Sequence, residues 1–368
     1  MASKTAADHF NRDSFVLAID AMGGDHAPEI VVEGMAIAAE RHPDARFLLV
    51  GDETLLAPLL ARWPRAASVC TVRHAPVKVT GEMKAAAALR LRDSSMRIAI
   101  DAVAHGEASG VVSAGNSGAL LALAKIILKT LPGIDRPALA AIMPSARGDI
   151  LMLDLGANVL CDPRNLVEFA IMGDVFARSV LGLTAPRIGL LNVGSEEQKG
   201  DDRIRTAAEM LRTSHLAQQF HGFVEGHDIA GGTTDVVVAD GFSGNIALKT
   251  AEGTAKMLGG LLKQIFTSTI LARLGYLLAR GGLERLREWL DPRRYNGAVL
   301  VGLNGVVVKS HGGTDAQGFA HAVDVGMDMV SNRSSDRIRE GIAKLVELSG
   351  AAHPARDKDG TAQLAEAR

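Results

Sequence analysis

The chain is poor in the features that mark several classes of protein. Of its 368 residues only two are cysteine, Cys70 and Cys161, far apart and in no metal-ligand spacing. A disulfide scaffold is therefore excluded, a reducing compartment is expected, and both thiols read as buried rather than as ligands or nucleophiles. Aromatic residues make up 4% of the chain, too few to offer a base-stacking surface. Forty Lys and Arg stand against 42 Asp and Glu, which leaves no field to hold nucleic acid. The longest stretch without charge, Ala108 to Ala124, contains Ser, Asn and Gly and falls short of a membrane span. Residues 1–14 are polar and carry both charges, unlike a secretory leader. No two glycines are separated by a single residue, so the Gly-x-Gly dinucleotide fingerprint is missing, and no two histidines stand four apart. No metal and no organic cofactor are expected.

What is present is an ordinary globular balance, 47% hydrophobic and 22% charged, with 39 glycines for tight turns. Short β-rich runs alternate with longer helical patterns, which predicts repeated βαβ units and a mainly parallel sheet. The strands expected are 15–20, 47–51, 69–73, 110–113, 151–154, 188–193, 222–225, 235–240 and 299–302. Amphipathic segments at 29–41, 84–104, 117–129, 165–181 and 201–212 would cover the sheet faces. One α/β catalytic domain over 15–350 is expected, with flexible tails at 1–14 and 351–368.

In a parallel sheet ligands lie beyond the carboxyl ends of the strands, so the loops there are the candidate site. Asp20-Ala21-Met22-Gly23-Gly24-Asp25-His26 follows the first strand. Ser113-Ala114-Gly115-Asn116-Ser117-Gly118 follows the fourth, and Asp240-Gly241-Phe242-Ser243-Gly244-Asn245 is a second turn of the same kind. Both run from a strand into an apolar helix, with glycines for close approach and Ser and Asn donors for an anion, and both are expected to close on one carboxyl edge of the sheet. Asp154 with Asn158, the Glu196 to Lys199 loop, and Lys309-Ser310-His311 add carboxylates, amides and cations at further strand ends. In both Gly/Ser turns glycine follows serine immediately, so neither is a nucleophile elbow.

From Lys256 to Arg294 the chain carries eight Lys and Arg against three acids. Apolar residues, among them Leu271, Leu274, Leu277 and Leu278, alternate there with Arg273 and Arg280. A basic helical hairpin at about 253–292 is expected to protrude, as a dimer contact, a membrane-surface patch or a dock for an acidic partner; an ordinary core-facing hairpin is the alternative.

Taken in order, these motifs resemble the bacterial phosphate acyltransferase family of phospholipid synthesis. The likeness rests on Ile19 to Asp25, Ser94-Ser95-Met96, Ser113 to Ala119, Leu131 to Pro137, Asp154 to Asn158, Glu196 to Gly200, Phe223 to Gly226, Asp240 to Asn245, Gly302 to Gly305 and Lys309 to Gly312. Two departures are Ser117, where Thr is commoner, and Arg293-Arg294-Tyr295 in place of a Gly-rich approach. The resemblance implies a Rossmann-like αβα sandwich related to phosphotransacetylases and to isocitrate and isopropylmalate dehydrogenases. It further implies transfer of a long-chain fatty acyl group from acyl carrier protein to inorganic phosphate, by a homodimer in the cytoplasm bound peripherally to the inner face of the cell membrane. The acyl phosphate would pass to a membrane glycerol-3-phosphate acyltransferase. A short-chain acyl-CoA:phosphate transferase is the rival.

On that resemblance Asn116, His26, His311, Lys199 and Asp154 are the expected catalytic groups. The expected phosphate and substrate contacts are Asp20, Gly23, Gly24, Asp25, Ser113, Gly115, Ser117, Gly118, Asn158, Gly241, Ser243, Gly244, Asn245, Lys309 and Ser310. Leu271, Leu274, Leu277, Leu278, Arg273 and Arg280 are expected to meet membrane or carrier.

Overall fold

A computed structural model describes residues 15–289 and 291–349; the expected tails lie outside the described residues. Eleven strands form one sheet: β1 (Val16–Asp20), β2 (Arg46–Gly51), β3 (Cys70–His74), β4 (Gly110–Ser113), β5 (Ala138–Ser145), β6 (Gly148–Leu153), β7 (Ile188–Leu191), β8 (Phe220–Val224), β9 (Val236–Val238), β10 (Ala298–Val301) and β11 (Val306–Lys309). Their spatial order is β3-β2-β1-β4-β11-β10-β5-β6-β9-β7-β8. The helices are α1 (Glu29–Arg41), α2 (Glu53–Leu60), α3 (Pro64–Ser68), α4 (Ala85–Ala88), α5 (Ser95–Ala104), α6 (Ser117–Leu128), α7 (Pro163–Val180), α8 (Asp202–Arg212), α9 (Gly226–Gly231), α10 (Gly241–Thr267), α11 (Ile270–Trp289), α12 (Ala316–Ser331) and α13 (Ser334–Ser349).

Alternation along the strands makes the layers. In β1, Leu17 and Ile19 join a core with α1, α7 and α12, while Val16 and Ala18 join a second core with α5 and α6. In β6, Leu151 and Leu153 face the first core while Ile150 and Met152 face a third, which Ala247 and Leu248 of α10 help to close. Helices on both faces bury the central strands completely, which is why β1 and β4 read as near-continuous apolar runs.

Two strands escape the sequence pattern. β5 is an alanine-rich run containing Pro144, a poor strand signal. β11 is only four residues long and follows Gly305 closely. The segment expected as one helix over 84–104 is two, because Ser94 caps a fresh start by accepting from the Arg97 N–H at 3.4 Å.

The sheet has two parallel halves that run in opposite directions. β3, β2, β1, β4 and β11 are mutually parallel, as are β6, β9, β7 and β8, and three antiparallel pairings through β10 and β5 separate them. The two Gly/Ser turns therefore leave opposite edges of the sheet, which corrects the expectation of one shared carboxyl edge.

The hairpin starts earlier than expected. α10 is 27 residues long and continuous with the helix that opens at the second Gly/Ser turn. It and α11 touch through Phe266 and Tyr276, with ring centroids 5.8 Å apart, and leave Leu258, Leu261, Leu271, Leu274 and Leu277 exposed, with Leu278 92% exposed. The core-facing alternative fails for these side chains. No helix among the described residues is long and apolar enough to cross a membrane.

Candidate active site

Three loops pack together at the carboxyl ends of β1, β4 and β11. Asp20 is buried and accepts from the hydroxyls of Ser95 and Ser113, each at 2.6 Å. Ser113 Oγ in turn accepts from the Gly115 N–H at 3.0 Å. Burial pushes the Asp20 carboxyl up, against the pull of both hydroxyls, the Met22 N–H and the Lys78 charge. A Cβ on Gly23 would stand 2.6 Å from Asp20 Oδ2 and 2.7 Å from the Gly115 nitrogen, so Gly23 and Gly115 let two backbones meet. The third loop joins through the Asp25 N–H to the Gly312 carbonyl at 2.9 Å and the Ser310 N–H to the Ser113 carbonyl at 2.9 Å.

This junction corrects several expected roles. Asp20, Ser113 and Ser310 are buried and hydrogen-bonded within the protein, so they hold the loops rather than reach a ligand. The Asn116 side chain is also fully used. Its Oδ1 caps α6 by accepting from the Ala119 N–H at 3.0 Å, and its Nδ2 donates to the carbonyls of Gly81 at 2.7 Å and Met83 at 2.9 Å. An oxyanion role for that amide gives way to an anchoring one. Ser117 and Gly118, by contrast, are exposed at the first turn of α6, where helix N–H groups have no intrahelical acceptors.

Around that turn stand the polar groups not absorbed by packing. Lys309 Nζ is half-buried and rests on backbone carbonyls, those of Ala114 at 3.5 Å and Ser310. Burial pushes it down to about 8; Asp20 and Asp25 pull it up and Lys249 of α10 pushes it down again. Lys78, which the sequence reading passed over for want of a motif, donates to the Gly24 carbonyl at 3.2 Å. Both ammonium groups thus hydrogen-bond neutral partners, with capacity left for an anion. His26 and Asp25 are exposed beside them. His311 is exposed too, and its Nδ1 accepts from the Gly313 N–H at 3.2 Å, which leaves the neutral ring its proton on Nε2.

Asn296 was also missed, though it fixes this loop. It donates to Ser310 Oγ at 2.8 Å and to the Gly318 carbonyl at 2.7 Å, and accepts from the His311 N–H at 2.8 Å. The unusual Arg293 just before it pairs with Asp291 at 2.6 Å and Asp315 at 3.3 Å, tying the hairpin's return to the start of α12.

The second cluster, at the ends of β6, β9 and β7, is built differently. Asp154 is fully buried and accepts from the N–H groups of Leu139, Gly156, Ala157 and Asn158 and from Asn158 Nδ2, at 2.6–3.2 Å. Burial pushes this carboxyl up, yet all five partners are N–H donors, so the pocket is shaped for the anion. Asp154 and Asn158 are therefore a structural clasp, a correction to their expected roles. Gly241 and Gly244 are buried, and a Cβ on Gly244 would collide with the Asp154 carbonyl oxygen, so both are packing residues here. Ser243 and Asn245 remain exposed, Asn245 lying against Gly156. Lys199 is exposed on a loop that Asn192 holds by donating to the carbonyls of Gly194 and Lys199, each at 3.1 Å.

Cys161, beside Asp154 and Asp240, is buried with its thiol pushed up to about 12, which makes it unreactive. The two clusters share no hydrogen bond among the described residues. The link between them is electrostatic: Lys249, on the third turn of α10, is close enough to bear on Lys309.

Comparisons with known proteins agree with the fold and the motifs. A family described as "Fatty acid synthesis protein" matches residues 15–337. A phosphate acyltransferase of Gluconacetobacter diazotrophicus is 67% identical over 94% of this chain and 93% of its own length. One of Gluconobacter oxydans is 66% identical over 90% of each. Among solved structures, a phosphotransacetylase of Streptococcus pyogenes superposes with a TM-score of 0.61 at 18% identity, covering 86% of this chain and 94% of its own. The EutD phosphotransacetylase of Staphylococcus aureus gives 0.59 at 17% identity, with the same coverage of both chains. At that distance the structural likeness shows the fold.

Proposed function

The chain belongs to the phosphate acyltransferase family and forms an acyl phosphate from an acyl donor and inorganic phosphate, and from that premise we propose that its donor is a long-chain acyl-[acyl carrier protein]. One observation carries the placement of phosphate: Lys309 rests on neutral carbonyls beside an open helix start whose cap, Asn116, is neutral. A dianion there meets the helix dipole, the Ser117 and Gly118 N–H groups, and the charges of Lys309 and Lys78. Lys199, Ser243 and Asn245 approach from the opposite edge and engage the thioester.

Hydrogen phosphate is already dianionic near neutral pH, so positioning matters more than deprotonation. One phosphate oxygen forms a bond to the thioester carbon, the carbonyl oxygen takes up charge, and the carbon–sulfur bond then breaks. The proton of hydrogen phosphate ends on the leaving thiolate. Lys309, held near 8, is matched to a thiol of pKa about 8.5 and can relay that proton; the His311 Nε2–H can donate a hydrogen bond to the leaving sulfur.

The exposed apolar hairpin serves homodimer formation and peripheral contact with anionic lipid at the inner face of the cell membrane, where the acyl phosphate passes to a glycerol-3-phosphate acyltransferase. Leu277→Glu should release the enzyme from anionic vesicles, and undiminished retention would remove the hairpin from that role. The reaction itself is tested by mixing the protein with acyl-carrier thioester and following free thiol. Release that depends on added phosphate is expected; equal release without phosphate, or with acyl-CoA alone as donor, overturns the proposal.

A further inference from the structure

We propose that the outer face of α6, with the 84–92 segment beside it, is the docking platform for the acidic protein that delivers the acyl thioester; this rests on the carrier donor proposed above. α4 packs on α6, and the Asn116 amide ties the carbonyls of Gly81 and Met83 to the helix start. The platform is therefore fixed to the turn where phosphate is placed.

Lys84, Arg90 and Arg92 on the segment, and Lys125 and Lys129 along α6, are exposed and form no ion pair among the described residues. Their neighbours Arg73 and Arg97 do, with Glu107 and Asp101. Glu82 and Asp93 flank the segment and Asp135 bears on Lys125, so five cations stand against three acids.

The exposed face of α6 runs at helical spacing from Gly118 to Lys129, and in its midst Ile126 is 58% exposed. Lys125 and Lys129 beside one bare aliphatic side chain, with the 84–92 cations packed toward the other end of the helix, fit an acidic surface with an apolar patch. An arm projecting from a partner seated there enters beside Gly118. On the hairpin Arg280 is occupied by Glu284 at 2.7 Å, while Lys256, Lys263 and Arg273 are exposed among mainly apolar side chains. Both faces offer cations, but α6 alone starts at the turn where phosphate is placed, and its face is mainly charged where the hairpin's is mainly apolar, which favours α6 for an acidic carrier and leaves the hairpin to lipid or a second copy.

The test compares one acyl group on two donors, the carrier protein and coenzyme A. The double variant R90E/K125E should raise KM for the carrier thioester about tenfold or more, with kcat and the acyl-CoA reaction unchanged. Its carrier KM should also lose most of the salt dependence seen in the wild type. The neutral pair R90Q/K125Q should fall between.

An unchanged carrier KM overturns the proposal. So does an equal loss with both donors, which would mean damage to the site. Dissociation of the oligomer in sedimentation also overturns it, because the face would then lie between copies. A wild-type enzyme that discharges acyl-CoA and never the carrier would instead refute the donor reading, and this proposal with it.

Discussion

At the β1/β4/β11 edge a buried aspartate, Asp20, is held by two serine hydroxyls; at the β6/β9/β7 edge another, Asp154, is held by four backbone N–H groups and an amide. Each lies beside a helix start that glycines allow to approach closely. The helix caps differ in charge: Asn116 is neutral, whereas Asp240 caps α10 by accepting from the Ser243 N–H at 2.8 Å. The cations differ as well, since Lys309 and Lys78 rest on neutral carbonyls at the first edge, while at the second Lys199 is exposed and Arg203 is paired with Asp201. Similar parts thus differ in charge: the proposed phosphate site has a neutral cap and two ammonium groups, and the other edge has a carboxylate cap at the start of α10.

The sharpest test of that contrast is on stability. In Asp154→Asn the new NH2 group would face fixed N–H donors and cannot satisfy them, so a loss of about 3–5 kcal/mol is expected. In Asp20→Asn the serine hydroxyls can rotate to accept instead of donate, so the cost should be nearer 1–2 kcal/mol. Equal losses in urea denaturation would show that the two clasps are not different in kind.

The next effect is on rate. Lys309→Met should lower kcat/KM for phosphate about 100-fold, near 2.7 kcal/mol, without lowering stability. Burial holds the folded pKa near 8, below the ordinary 10.5, so between those values the unfolded chain binds more protons and native stability rises with pH. Removing the charge therefore relieves a cost that is present below pH 8. Activity of the wild type should fall as pH climbs through about 8, and Lys309→Arg, which never deprotonates, should flatten that fall. A steep loss that persists in the arginine variant would assign the titration elsewhere.

Asn116→Ala should cost about 1–2 kcal/mol through the lost cap, and loosen the 80–83 loop as well. An activity loss with undiminished stability would return the amide to a direct role at the oxyanion.

Much of this was legible in the residues. Runs such as 16–20 and 110–113 announce buried parallel strands because both faces are covered, and the ordered loop motifs locate both edges. The direction of the second half was not legible, because it turns on β5, an alanine-rich strand with a weak signal of its own, and on antiparallel pairings of β11, β10 and β5 that no residue run announces. Nor could the sequence tell a glycine that admits a ligand from one that admits another backbone, as at Gly23 and Gly115, or a free Asn from a spent one, as at Asn116. Lys78 and Asn296 belong to no motif and become visible only through the carbonyls and hydroxyls they hold.

The smallest effect is the most diagnostic. Asp240→Asn keeps the cap of α10, since Asn and Asp serve equally well there and the change should stay within about 0.5 kcal/mol. It also removes the negative charge at the second helix start, making it resemble the first. If phosphate sits only at α6, the carboxylate removed borders the thioester and not the anion, and KM for phosphate should stay within about twofold. If α10 takes the anion, removing a carboxylate from beside it should lower KM for phosphate several-fold, most clearly at low salt. That outcome would reverse the assignment of the two edges, moving the phosphate to Ser243 and Lys199 and leaving Lys309 to the thioester.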